Sequence, residues 1–311
     1  MKLGPREIAL LGAIAVLFTL PLIGVSGFYT TGNLRNLIID NLPILIAAIG
    51  MTVVIIAGQI DISIGSQFVV CGVVSGLAAK SGLPMPVVIL TTLATGAFFG
   101  AVNGLLTARF GIPAIIATLA TMVILRNGLI RATKGDWIQN LPSNYQWLGL
   151  GQSAAQPVYI LLVAGLFGVA AWALRSTAAG RSFYAVGCDH EASRRVGINP
   201  NLVIFASFAL MGVLAATAAL FNFTRYPSIE SNAGIGLELK VIAAAVVGGT
   251  SITGGRGTLL GTLLGVILMG TIGTVFTFLH VNPAWEKAIQ GAVILAAVVS
   301  DTFFRKAEAR G

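Results

Sequence analysis

Charge is what this sequence has least of. Only 10% of its 311 residues are Asp, Glu, Lys or Arg, while 56% are hydrophobic; soluble domains carry about 25% charge. A water-soluble globule of this length needs charged side chains over its whole surface, whereas a chain surrounded by lipid needs them only where its loops meet water. The shortage excludes a soluble protein and makes the bilayer the solvent. Cysteine is nearly absent too: Cys71 lies in an apolar run and Cys188 in a polar loop, which argues against a disulfide or a metal site.

Signatures of chemistry are missing as well. No G-x-x-x-x-G-K-[ST] occurs, and the Gly-rich stretch at 248–257, GGTSITGGRG, lacks the lysine that would reach a phosphate. There is no H-E-x-x-H, no paired-cysteine site and no G-x-S-x-G, and His190 and His280 fall in different loops. The chain therefore offers no catalytic residue, implies no cofactor, and cannot hydrolyse ATP alone. A net charge of +8 does not make it a nucleic-acid binder. Its basic residues stand singly or in pairs at the ends of apolar runs, where they meet lipid headgroups and set topology, and no basic stripe with interleaved aromatics is seen.

What is present in quantity is apolar runs and glycine, 38 residues of it. Small residues let helix backbones approach in lipid, where no hydrophobic force drives association. A helix needs about 20 apolar residues to cross the hydrocarbon core. Ten runs approach that length, near 8–27, 39–58, 63–79, 86–108, 112–131, 157–174, 203–223, 237–254, 258–279 and 287–304. The expected fold is an all-α integral membrane protein of about ten transmembrane helices, forming one domain over residues 1–311. The first run could instead be a signal peptide cleaved near Val25-Ser26-Gly27, but its length and the spans that follow favour an uncleaved helix.

Ten spans put both termini on one side. Lys2, Arg6, Arg305, Lys306 and Arg310, with Arg175, Arg181, Arg194 and Arg195 of the longest charged loop, fall together there, and the positive-inside rule makes that side cytoplasmic. Residues 132–156 and 224–234 are then external. Asp136, Trp137, Tyr145 and Trp147 of the first read as interfacial anchors or as a docking surface for an external protein. A faint internal echo relates TVVIIAGQIDISIG (52–65) to VIAAAVVGGTSITG (241–254), each followed downstream by a Pro-Ala pair, Pro113-Ala114 and Pro283-Ala284. Matching interruptions of this kind often border a translocation path.

Polar residues within the apolar runs are the candidate path, because leaving them in lipid costs a few kcal/mol. Asp61 and Ser63 sit in GQIDISIGS, between glycines that can break a helix; they either cap the following helix or contact a solute. Asn103, Thr118, Thr121 and Arg126 follow the same logic, and Arg126 needs a carboxylate or water. Asp40 needs a basic partner that spacing does not identify. The loop from Arg175 to Asn201, RSTAAGRSFYAVGCDHEASRRVGINPN, holds a short helix that starts at Asp189 and ends at Gly197. It is either a solvated connector or an amphipathic element seated in a partner's groove.

Four ordered motifs carry a resemblance. GRSFYAVG (180–187) with ASRRVGI (192–198), GQIDISIGS (58–66), NGLLTARFGIPAIIATLATMVILRNG (103–128) and GLELKVIAAAVVGGTSITGGRGTLLGTLLG (236–265) together resemble permeases of the ribose, xylose and autoinducer-2 type importers, over nearly the whole chain. The resemblance implies a homo- or heterodimer of permeases on two ATP-hydrolysing subunits, fed by a periplasmic sugar-binding protein in the bacterial inner membrane. It implies a cytoplasmic coupling role for Arg181, Glu191, Arg194, Arg195 and Gly197. Gln59 and Ala120 stand where the family often has glycine. TKGDWIQNLP (133–142) looks more like the autoinducer-2 and rhamnose branch than the ribose one. A self-sufficient secondary transporter or channel is the rival reading, and it would have to build its ion sites from the few membrane carboxylates, chiefly Asp40, Asp61 and Glu238.

Overall fold

The computed structural model describes residues 5–19, 27–282 and 284–308. The proposed cleavage point near residue 25 lies outside them. All regular elements among them are helical: α1 (Pro5–Thr19), α2 (Thr31–Ile56), α3 (Ile64–Lys80), α4 (Met85–Ala108), α5 (Ala114–Thr133), α6 (Gln152–Ser176), α7 (Ala178–Cys188), α8 (His190–Arg195), α9 (Pro200–Phe223), α10 (Leu237–Val247), α11 (Leu259–Phe278) and α12 (Ala284–Glu308). A lone antiparallel bridge joins Ile138 to Ile229.

Each expected run contains a helix, but among the described residues six helices are both long and apolar enough to cross a membrane: α2, α4, α5, α6, α9 and α11. α3 is apolar and 17 residues long. The run expected at 237–254 departs most from expectation. Its helix, α10, stops after 11 residues, about 16 Å of rise against a core about 30 Å thick. The segment before it runs alongside α3 without being helical. Ile229 rests against Gly76 of α3 and Gly234 against Gly65, which lies about 16 Å further along that helix. Irregular backbone is tolerated at this depth because protein, not lipid, surrounds it.

α2 is hydrophobic all round and correspondingly central, touching α6, α7, α9, α10 and α11. α4 and α9 cross with almost nothing between their backbones. Gly96, Gly100 and Gly104, spaced by four along α4, face Gly212, Phe208 and Phe205 of α9, and a methyl on Gly96, Gly100 or Gly212 would overlap a main-chain oxygen opposite. This is the close approach that small residues permit in lipid. The outer faces of α4, α5 and α6 remain apolar and uncovered, with Leu90, Phe98, Ile116, Ile124, Leu161 and Trp172 exposed.

Two expectations for the loops are corrected. Tyr145 and Trp147 are buried rather than interfacial. The Tyr145 hydroxyl pairs with Ser75 Oγ at 2.7 Å, and Trp147 stacks beside Tyr159; of the three aromatics, Trp137 alone is exposed. The segment after Arg175 is not a plain loop, because Thr177 breaks α6 and its side chain accepts from Gly180 N at 3.0 Å to start α7.

Candidate functional site

Two arrangements of polar groups stand out, at different depths. The first surrounds the break between α2 and α3. Asp61 is wholly buried. One of its carboxylate oxygens accepts from Ser63 N at 2.9 Å and Ser63 Oγ at 2.6 Å, and the other from Gln67 Nε2 at 3.1 Å. Ser63 Oγ accepts in turn from Gln67 Nε2 at 2.7 Å and Asn103 Nδ2 at 2.8 Å. Thr121 donates to Asn103 Oδ1 at 2.7 Å, and Thr118 Oγ1 accepts from Ile62 N at 3.2 Å. Four residues singled out in the sequence, Asp61, Ser63, Asn103 and Thr121, thus meet with Gln67 in one network that ties α3, α4 and α5 together, and Thr118 holds the Ile62 N–H beside it. Asp61 accepts from Ser63, the N-cap of α3, two residues further on, and neither side chain accepts from the first N–H groups of α3, so the expected cap is not formed. Both Asp61 oxygens and the Ser63 hydroxyl are already bonded, so in this conformation the network offers a solute little beyond the Oε1 of Gln67, a buried atom without a partner.

The second arrangement lies at the start of α10. Arg126 is the thirteenth residue of α5, about 18 Å from its first turn. Its Nη2 is buried and has no hydrogen-bond partner, and the same holds for Oε2 of Glu238. Both flank Gly65. A methyl built on that glycine would lie 3.4 Å from Arg126 Nη2 and overlap Glu238 Oε2. The two groups face each other across a glycine without forming an ion pair. Lys240 pairs with Glu286 at 3.0 Å nearby, and the Lys287 stem runs past Gly236. Asp40 finds its basic partner in Arg225, which also donates to Ile39 O at 3.2 Å.

A third surface lies at the end of the molecule where α7 and α8 project. Asp189 caps α8, accepting from Glu191 N at 2.8 Å and Ala192 N at 3.0 Å. Those two N–H groups, Ala192 first, hold the exposed carboxyl below its ordinary pKa of 3.8. Gly197, with φ of +83°, ends the turn. Glu191, Arg194, Arg195 and Gly197 are exposed, Glu191 and Arg194 pair at 3.9 Å, and Val196 is 74% exposed among them. Arg181 turns the other way, donating from Nη1 to Ser176 O at 3.2 Å.

The end of α7 joins this surface to the membrane interior. Gly187 packs on Ile56 O, where α2 ends, and on Gly255 N, while Gly255 N itself donates to Ile56 O at 2.9 Å. Gly58 and Gly254 touch in the same place. The two echo segments therefore meet each other and α7 at one glycine junction. These glycines stand in the motifs of the sequence, and nothing in their spacing shows that they meet. The signal available was that all three motifs put glycine where a helix stops.

A family profile described as branched-chain amino acid transport system / permease component matches residues 33–298. Among curated proteins, the autoinducer 2 import system permease protein LsrC of Enterobacter sp. (strain 638) is 37% identical, covering 98% of this chain and 89% of the relative. The protein of the same name from Escherichia coli O9:H4 (strain HS) is 37% identical over 95% of this chain and 86% of its own. That from Salmonella paratyphi B is 36% identical with the same coverage. No solved structure matches. The motif resemblance, the apolar helices and the profile agree: this multi-pass membrane chain belongs to the branched-chain amino acid transport system / permease component family.

Proposed function

We propose that this chain is the membrane-spanning subunit of an ATP-driven importer for a small hydroxylated solute of the autoinducer-2 or monosaccharide class. It works as one of two permease copies, homo- or heterodimeric, on two separate ATP-hydrolysing subunits, and takes cargo from a periplasmic binding protein. Ten passes through the bacterial inner membrane leave both termini, α7 and α8 in the cytoplasm. In this count α1, α3, α12 and the paired 229–236 segment and α10 join the six long helices, and the α2–α3 and α10–α11 breaks are equivalent parts of an internal repeat.

The observation that carries the reading is the glycine junction. An exposed charged helix pair on a stiff backbone contact with both membrane breaks is suited to receiving a push from a partner. Glu191, Arg194, Arg195, Val196 and Gly197 form the contact, and Gly187 passes displacement to Ile56 and Gly255. The Asp61 network keeps α3, α4 and α5 moving as one body. Arg126 Nη2 and Glu238 Oε2 are left free to meet a polyol in the path, since a carboxylate accepts and a guanidinium donates to vicinal hydroxyls. The relatives named as autoinducer 2 import permeases support that cargo class.

The test is uptake of labelled autoinducer-2, rhamnose and ribose by the complex reconstituted in proteoliposomes. Uptake of one of them should require ATP and the binding protein, and Glu191→Lys or Arg194→Glu should leave the complex assembled while severing hydrolysis from transport. Robust uptake by this chain alone would support a secondary transporter instead. Normal coupling in both variants would remove α8 from the interface.

A further inference from the structure

Between the end of α6, α7 and the first turn of α11 lies a cavity of about 540 Å³ whose walls are mostly apolar and include two arginines, a size within the range of ligand clefts. Arg175 and Arg181 supply the charge; among the described residues neither has a carboxylate within 4 Å, and Arg181 has only the Ser176 carbonyl on its Nη1. Leu174, Leu259 and Leu260 supply the apolar wall. Tyr184 fixes its floor, its hydroxyl donating to Gly257 O at 2.9 Å across the space between α7 and α11. The first turn of α11 adds the positive end of a 20-residue helix. α6 is the least covered of the six long helices, with Val169 and Trp172 exposed just before the cavity, an apolar face suited to lipid.

The geometry points to an anionic phospholipid site: a phosphodiester headgroup held between Arg175 and Arg181, with its acyl chain on the leucines. A free phosphate would satisfy the guanidiniums and leave the apolar wall in water. A neutral lipid would cover the wall and leave two unpaired cations at the membrane surface. A headgroup carrying net negative charge, such as phosphatidylglycerol, satisfies both. Clusters of basic groups between membrane helices select such headgroups in the cytoplasmic leaflet, which is where the proposed orientation puts this end. The consequence is mechanical. Arg175 belongs to α6 and Arg181 to α7, on opposite sides of the break at Thr177, so one lipid phosphate bridges the membrane body to the helix that leads to α8. This assignment shifts Arg181 from partner contact to lipid contact.

The experiment measures binding and not transport, so it stands or falls apart from the importer reading. The intact permease is purified in detergent, and native mass spectrometry and thermal melting follow its titration with phosphatidylglycerol, phosphatidylcholine or inorganic phosphate. Phosphatidylglycerol should be retained and raise the melting midpoint, and the other two should do neither. Arg175→Gln with Arg181→Gln should weaken retention by roughly 30-fold, and the paired Lys substitutions should restore much of it. A photoactivatable phosphatidylglycerol on the wild-type protein should mark residues 171–184 or 256–262, a measurement that survives even where the double variant does not fold. Equal retention of phosphatidylcholine, equal protection by inorganic phosphate, unchanged binding in the folded Gln pair, or labelling only elsewhere would each overturn the assignment.

Discussion

Asp61 is buried at the break between α2 and α3 with both carboxylate oxygens bonded. An acidic side chain between two glycines in an apolar run announces itself, as do Asn103 and Thr121 in theirs. Their meeting depends on how α3, α4 and α5 cross, which no spacing along the chain encodes. The network makes Ser63 the pivotal hydroxyl, because it donates to Asp61 and accepts from both Gln67 and Asn103. Ser63→Ala should lower stability by about 1–3 kcal/mol, the cost of leaving buried polar partners unmet, while Ser81→Ala, at an exposed turn hydroxyl, should be close to neutral in the same thermal melt. The helix-crossing glycines give a second pair. A methyl on Gly212 would overlap the Gly96 carbonyl, whereas one on Gly128 meets nothing within 4 Å. Gly212→Ala should therefore cost about 1–3 kcal/mol as overpacking, and Gly128→Ala should hold or raise the midpoint, since alanine is the better helix former. Equal effects of the two glycine changes would contradict the close α4–α9 crossing.

At the scale of elements, the signals that worked were chemical and local. Asp189 and Gly197 delimit α8 because a short acidic side chain satisfies the first N–H groups and a glycine turns the chain afterwards. The glycines and serine of α7 mask a helix that Thr177 starts. Apolarity alone does not reveal where the Gly248-Gly249 pair ends α10. The α8 cap carries a pH dependence whose sign follows from the direction of its shift. The folded carboxyl titrates below its ordinary value of 3.8, so its stabilisation is complete above that value and is lost as pH falls through the lower folded one. Amide exchange at Glu191 and Ala192, the two N–H donors, should be slow at pH 5 and accelerate, relative to unstructured amides, once the pH drops below about 3.8. Asp189→Asn, which keeps an acceptor and removes the titration, should abolish that acceleration. If the acceleration persists in the Asn variant, another group drives it.

Across the whole molecule, membrane residence, helical class and the run pattern followed from composition, because lipid permits few solutions for a backbone. What did not follow was the route from the exposed helix pair to the membrane breaks, since it runs through main chain rather than through side chains. Gly187 is the test of that route. A methyl there would overlap Ile56 O and come within 2.6 Å of Gly255 N, so alanine must push α7 away from the two loops it touches. The exposed residues of α8 would be unaltered. Gly187→Ala should therefore still recruit the ATP-hydrolysing partners and support basal hydrolysis, yet lose most solute uptake. Pull-down, ATPase and uptake measured on the same preparation separate these steps. Loss of assembly together with uptake would mean that α7 holds the partner rather than relaying its motion. Full uptake in the alanine variant would mean that force enters the membrane helices by another way.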